Sequence, residues 1–199
     1  MDNPSKYMVI IRPPLTKILS LVTLMVAMNL ASNYVMIGIP NIKIMDLLVF
    51  ISGYLMGALP GIMVGVLTWV VYGTINPYGF HPVIFVATCL GEGFYGFIGW
   101  FSRRVGSGSD IFLASISKRQ LLWLNFKFGV IGFLATFVYD LFTNIVSAVI
   151  FGLPPIMGVI TGAYFSIVHE VSNFFFFFFG CSIIVKVIKK LIYVGGEEK

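Results

Sequence analysis

Long apolar runs separated by short turn-forming segments dominate the chain. The first extends from about Ile18 to Ile39, and others cover about Ile44 to Leu59, Gly61 to Ile75, Pro82 to Phe101, Leu121 to Phe151 and Pro155 to Val185. Each spans or nearly spans a hydrocarbon layer of roughly 30 Å, so the pattern predicts an all-α integral membrane protein: six transmembrane helices in one polytopic domain, residues 1–199. The first run follows Lys6, Arg12 and Lys17 as a signal peptide would. It also contains Asn29 and Asn33, exceeds the usual length of such a segment and lacks a small-residue cleavage site, so it reads as a retained helix. The doubtful boundary is Leu59-Pro60-Gly61, because a proline can kink a spanning helix without ending it. Charge decides the matter. With six spans, twelve of the thirteen Lys and Arg residues fall on the cytoplasmic side: Lys6, Arg12, Lys17, Arg103, Arg104, Lys118, Arg119, Lys127, Lys186, Lys189, Lys190 and Lys199, with Lys43 the exception. Five spans would carry the Arg103 to Arg119 loop and the C-terminal lysines outside, against the positive-inside rule. The chain is therefore expected to turn at Pro60, with both termini inside.

Composition agrees with lipid as the main solvent. Of 199 residues, 58% are hydrophobic and 11% charged, too apolar for a soluble domain that must cover its core with polar surface. Cys89 and Cys181 lie inside apolar runs and read as packing residues, not as a disulfide framework or a metal pair. The outer connections, Gly38 to Asn41, Asn76 to Pro82 and Gly152 to Pro155, are short and rich in turn formers, which leaves no room for an extracellular domain. The one long loop, about Ser102 to Gln120, surrounds Gly106-Ser107-Gly108-Ser109 and accommodates no soluble catalytic or nucleotide-binding domain. The run Phe174 to Phe179 reads as lipid-facing or packing surface.

A charge at a helix centre costs on the order of 2.5–3.5 kcal/mol in hydrocarbon, which makes polar groups there candidates for function. The fifth run presents Asp140, Thr143, Asn144 and Ser147 at i, i+3, i+4 and i+7, and the sixth presents Ser166, His169, Glu170 and Asn173 at the same offsets. Glu92 and Tyr95 lie one turn apart in the fourth run, while Trp69, Tyr72 and Asn76 lead toward the outer end of the third. With Asn29 and Asn33, these residues are expected to line one cavity between the outer half of the first helix and the third to sixth, closed by the Asn76 to Pro82 loop; hydrogen bonding between helices is the alternative use for the same groups. Asp140 lies roughly 15 Å below the outer end of its helix, Glu92 at a similar level, and His169 and Glu170 somewhat deeper. Apart from Lys127 near the cytoplasmic edge, no deep position is Arg or Lys, so a cationic or neutral aromatic solute is expected. In the first run, Ala27 and Ala31 point roughly 200° away from Asn29 and Asn33, giving a smooth face for a neighbouring helix and a polar face for the cavity. Gly53, Gly57, Gly61 and Gly65 recur every four residues, a spacing suited to internal close packing or to docking of a separate membrane subunit.

Six spans, Ala27-Met28-Asn29-Leu30-Ala31 in the first helix, and the Gly57-Ala58-Leu59-Pro60-Gly61-Ile62-Met63-Val64-Gly65 turn region together resemble the substrate-binding S component of an energy-coupling factor (ECF) transporter. The resemblance covers nearly the whole chain. It implies a multi-pass protein of the cell membrane that captures a vitamin-like micronutrient near the outer face. It further implies association, through Ala27 and Ala31, with a transmembrane T component carrying two ATPase subunits, followed by toppling to release the solute inward. Energy would come from those partners, since the chain has no G-x-x-x-x-G-K-[ST] phosphate cradle. No cofactor, nucleic-acid partner or catalytic activity is expected. His169-Glu170-Val171-Ser172-Asn173 departs from the H-E-x-x-H zinc motif by placing Asn where the second histidine must be. The long loop offers only Asp110 for Mg²⁺-phosphate chemistry. A proton-coupled carrier using Glu92, Asp140, His169 and Glu170 as a relay is the competing reading, without an evident inverted repeat.

Overall fold

Helix boundaries follow local chemistry. The computed structural model describes residues 14–77, 79–106 and 117–193, with side chains placed as far as 190; Lys6, Arg12, Tyr78, Asp110, Lys199 and the Ser107 to Ser109 core of the long loop lie outside these. Among the described residues the chain is all-helical: α1 Leu15–Val35, α2 Met45–Met56, α3 Ala58–Ile75, α4 Pro82–Arg104, α5 Lys118–Ile150 and α6 Pro155–Tyr193. Pro82 and Pro155 open α4 and α6, where a missing N–H leaves no helical acceptor unserved. A capping box starts α5: Ser117 Oγ accepts from the Gln120 N–H at 3.3 Å, and Gln120 Oε1 accepts from the Ser117 N–H at 3.0 Å. α1 stops at Val35, ahead of Gly38 and Pro40, and α6 runs on past Val185. Among the described residues five helices are long and apolar enough to cross a membrane; α2, with 12 residues, is not.

The break between α2 and α3 falls at Gly57 and not at Pro60. Gly57 adopts φ 111°, which favours glycine, while Pro60 sits in the first turn of α3, where its lack of an N–H displaces no helical bond. There the chain doubles back. Gly53 and Gly61 meet backbone to backbone, and Gly96 of α4 closes on both. Gly65 lies against the Glu92 backbone, and Gly99 against that of Phe50. Of the two uses open to the glycine series, Gly53, Gly61 and Gly65 serve internal close packing of α2, α3 and α4.

Met45 through Leu55 are all buried, enclosed by α1, α3, α4 and α6. At about 1.5 Å per residue α2 is only ~18 Å long, and the non-helical segment 36–44 leads into it. Asn41, with φ 55°, donates to the Phe165 carbonyl at 3.3 Å. That carbonyl lies roughly 15 Å along α6 from its Pro155 end. Irregular backbone at such depth is tolerated where it borders protein or a watery cavity. At the opposite end of α2, Arg103 donates to the Tyr54 and Leu55 carbonyls at 3.1 and 3.0 Å, satisfying acceptors that the helix terminus leaves open.

The outer surface is apolar. Leu134, Phe137 and Val138 on α5, and Ile160, Ile167 and Val171 on α6, all face outward, an arrangement lipid accommodates and water does not. The phenylalanine run divides between its two readings: Phe177 is buried against Gly132, while Phe175 and Phe179 face outward. Cys89 and Cys181 are buried free thiols. On α1, Asn29 and Asn33 point inward while Ala27 and Ala31 are exposed, so the helix has the two faces its sequence anticipates. The protein is a multi-pass helical membrane protein.

Candidate functional site

Two cavities lie among the connections 36–44, 76–81 and 151–154. One, of about 500 Å³, is bordered by Asn33, Asn41, Lys43, Tyr72, Asn144 and Phe165, among others. The second, about 470 Å³, is bordered by Lys43, Trp69, Tyr72, Asn76, His81 and Thr88, among others. Lys43 and Tyr72 belong to both, so the spaces share a wall. Trp69, Tyr72 and Asn76 recur at helical spacing, which turns one face of α3 toward these spaces. The Lys43 ammonium lies 5.2 Å from the Trp69 ring centroid and 5.8 Å from that of Tyr72, within cation–π range. Trp69 and Tyr72 meet edge to face at 5.5 Å, and Tyr34 backs Tyr72 at 5.7 Å. Both volumes suit a small molecule, for which sites run roughly 300–1,000 Å³. By contrast, a groove of about 740 Å³ bordered by Arg119, Gln120, Leu122, Trp123, Phe126 and Phe178 is mainly apolar.

Five of the sequence candidates, Asn33, Trp69, Tyr72, Asn76 and Asn144, therefore border the cavities. The other six, Asn29, Glu92, Tyr95, Asp140, His169 and Glu170, are buried and border neither. Asn29 Nδ2 donates to Thr68 Oγ1 at 3.3 Å, joining α1 to α3. His169 touches two carboxylates, with Nε2 2.7 Å from Asp46 Oδ2 and Nδ1 3.0 Å from Asp140 Oδ1. Asn173 donates to Asp46 Oδ2 and, at 2.7 Å, to Thr136 Oγ1. The Tyr95 hydroxyl donates to the same Thr136 oxygen at 2.9 Å, and the Thr136 hydroxyl itself donates to the Gly132 carbonyl at 2.8 Å. The network thus runs Tyr95, Thr136, Asn173, Asp46, His169, Asp140 and ties α4, α5, α2 and α6 together with every member buried. An ionised carboxylate only accepts, so with both carboxylates ionised the two His169 contacts are hydrogen bonds only when each ring nitrogen bears a proton. In that state one cation sits between two anions. Among the described residues, Glu92 Oε2 and Asp46 Oδ1 have no hydrogen-bond partner.

Lys43, Asp46 and Thr136 are missing from the sequence candidates. Thr136 lies four residues before Asp140 on the same stripe, so the α5 periodicity extends to it. Asp46 offers no such signal, because a helix buried all round has no polar stripe. Lys43 brings a fixed positive charge to both cavities, where the sequence leads one to expect none, and among the described residues no Asp or Glu borders either.

No family model, curated protein or solved structure matches the chain. Its own architecture is what characterises it: a multi-pass membrane bundle with paired cavities at the end opposite its basic helix termini.

Proposed function

We propose that the protein captures a small solute from outside the cell membrane in the paired cavities and serves as the substrate-binding subunit of an ECF-type importer. In this reading both termini are cytoplasmic and α2, together with its descending 36–44 segment, makes the sixth crossing. The observation that supports solute capture is the meeting of two ligand-sized cavities at Lys43 and Tyr72. Orientation rests on Arg103, Arg104, Lys118, Arg119, Lys186, Lys189 and Lys190, which sit toward the inner helix termini. Cysteines introduced at Gly79 and Val105 in a Cys-free background will test it. An impermeant thiol reagent should label Gly79→Cys in intact cells and Val105→Cys only after permeabilisation; the opposite order would invert the protein.

Assembly with a T component and two ATPases is supported by the outward Ala27 and Ala31 face of α1, smooth enough for a partner helix to approach closely. Ala27→Leu with Ala31→Leu adds bulk on that face, away from the inward Asn29 and Asn33. Uptake and partner co-purification should fall to background, while binding of the co-purifying solute, identified by mass spectrometry, stays within about twofold of wild type. Normal assembly and uptake in the double variant would remove the ECF assignment and leave solute capture standing. A proton relay through Glu92, Asp140, His169 and Glu170 has weaker support, since none of the four borders a cavity.

A further inference from the structure

Resting on the reading of the paired cavities as a solute site, we propose that the solute is an organic anion, with a carboxylate or phosphate held by Lys43 and a planar ring lying against Trp69 and Tyr72. The fixed charge of the accessible space is the first reason. Among the described residues, Lys43 is the permanently charged residue bordering the two cavities, and no Asp or Glu joins it. Asp46 and Asp140 are buried and committed to His169, and Glu92 is buried as well. A cation entering either cavity meets an ammonium and no carboxylate; an anion meets a partner.

The ammonium is also available. Among the described residues no carboxylate lies within ion-pairing distance of Lys43, and its close contacts are two ring faces. Cation–π contact engages the charge while leaving N–H donors free for an oxygen ligand. Placement completes the case. Trp69 and Tyr72 stand edge to face beside the ammonium, so a ring that carries an acidic substituent can pack against the half-buried Trp69 where Lys43 leaves it open while its substituent reaches the ammonium.

Calorimetric titration of the purified full chain in detergent with indole-3-acetate, indole-3-ethanol and tryptamine compares an anion, a neutral compound and a cation on one ring system. Indole-3-acetate should bind about ten- to a hundredfold more tightly than tryptamine, the span expected for a charge-assisted hydrogen bond. Lys43→Gln should erase that preference, Lys43→Arg should keep it, and Trp69→Leu should weaken all three probes alike. Equal or tighter binding of tryptamine overturns the anion proposal while leaving the cavities as a solute site. A preference that survives Lys43→Gln, in protein whose unfolding midpoint is unchanged, overturns the role given to Lys43. Absence of binding by all three probes overturns the proposal together with the reading of the cavities on which it rests.

Discussion

Replacing His169 with leucine will destabilise the protein by about 3–5 kcal/mol, because it strands the Asp46 and Asp140 carboxylates in the bundle without the group they share. Removing one partner from a buried ionic cluster costs more than the cluster contributes, since the charges left behind cannot recover their hydration. The same argument predicts a rescue. Adding Asp46→Asn and Asp140→Asn to His169→Leu removes both stranded charges while keeping shape and hydrogen-bonding capacity, so much of the lost stability should return. Denaturant titration of the detergent-solubilised protein, followed by far-UV circular dichroism, measures both effects. A loss below about 1 kcal/mol for His169→Leu, within the ordinary range for a single substitution, would show that the His169 cluster does not hold α2, α5 and α6 together.

Gly96→Val should be comparably damaging for a steric reason. A side chain at Gly96 occupies space filled by the Gly61 backbone, and backbone cannot move aside as a flexible side chain can. The expected loss is about 3 kcal/mol, at the upper end for overpacking, with poor yield of folded protein. Gly93 supplies the control on the same helix. A methyl group there approaches the Ile62 and Val66 side-chain methyls at 3.3 and 3.7 Å, so Gly93→Ala should cost about 1 kcal/mol or less. Thermal melts of the two variants in one detergent compare them directly. Equal midpoints would mean that α3 and α4 are not in backbone contact.

The stripes on α5 and α6 are legible in sequence because a helix repeats its faces every three to four residues. The two stripes face each other rung by rung, with Asn144 donating to Ser166 at 3.0 Å one level from the Asp140 and His169 contact. What is illegible depends on partners remote in the chain. Asp46 takes its meaning from His169, 123 residues away, and α2 is too short and too uniformly buried to display a period. Lys43 stands out as the exception to the charge partition, yet a count of charges says nothing of a side chain that turns inward over Trp69. At the α2–α3 turn the sequence offers two helix breakers. Backbone sterics choose Gly57, since a positive φ is needed there and a first-turn proline is no obstacle.

The lengths of α5 and α6 have a physical consequence for where this protein can reside. With 33 and 39 residues they measure about 50 and 58 Å along their axes, against a hydrocarbon layer of ~30 Å. Helices of that reach cannot stand upright without lifting apolar turns into water, so they lean or gather a thicker collar of lipid. They pack on each other more extensively than on any other element, so whichever adjustment they make they make together. Phe165, whose carbonyl holds Asn41, rides on that pair. One wall of the first cavity therefore belongs to the two helices whose length most exceeds the hydrocarbon layer.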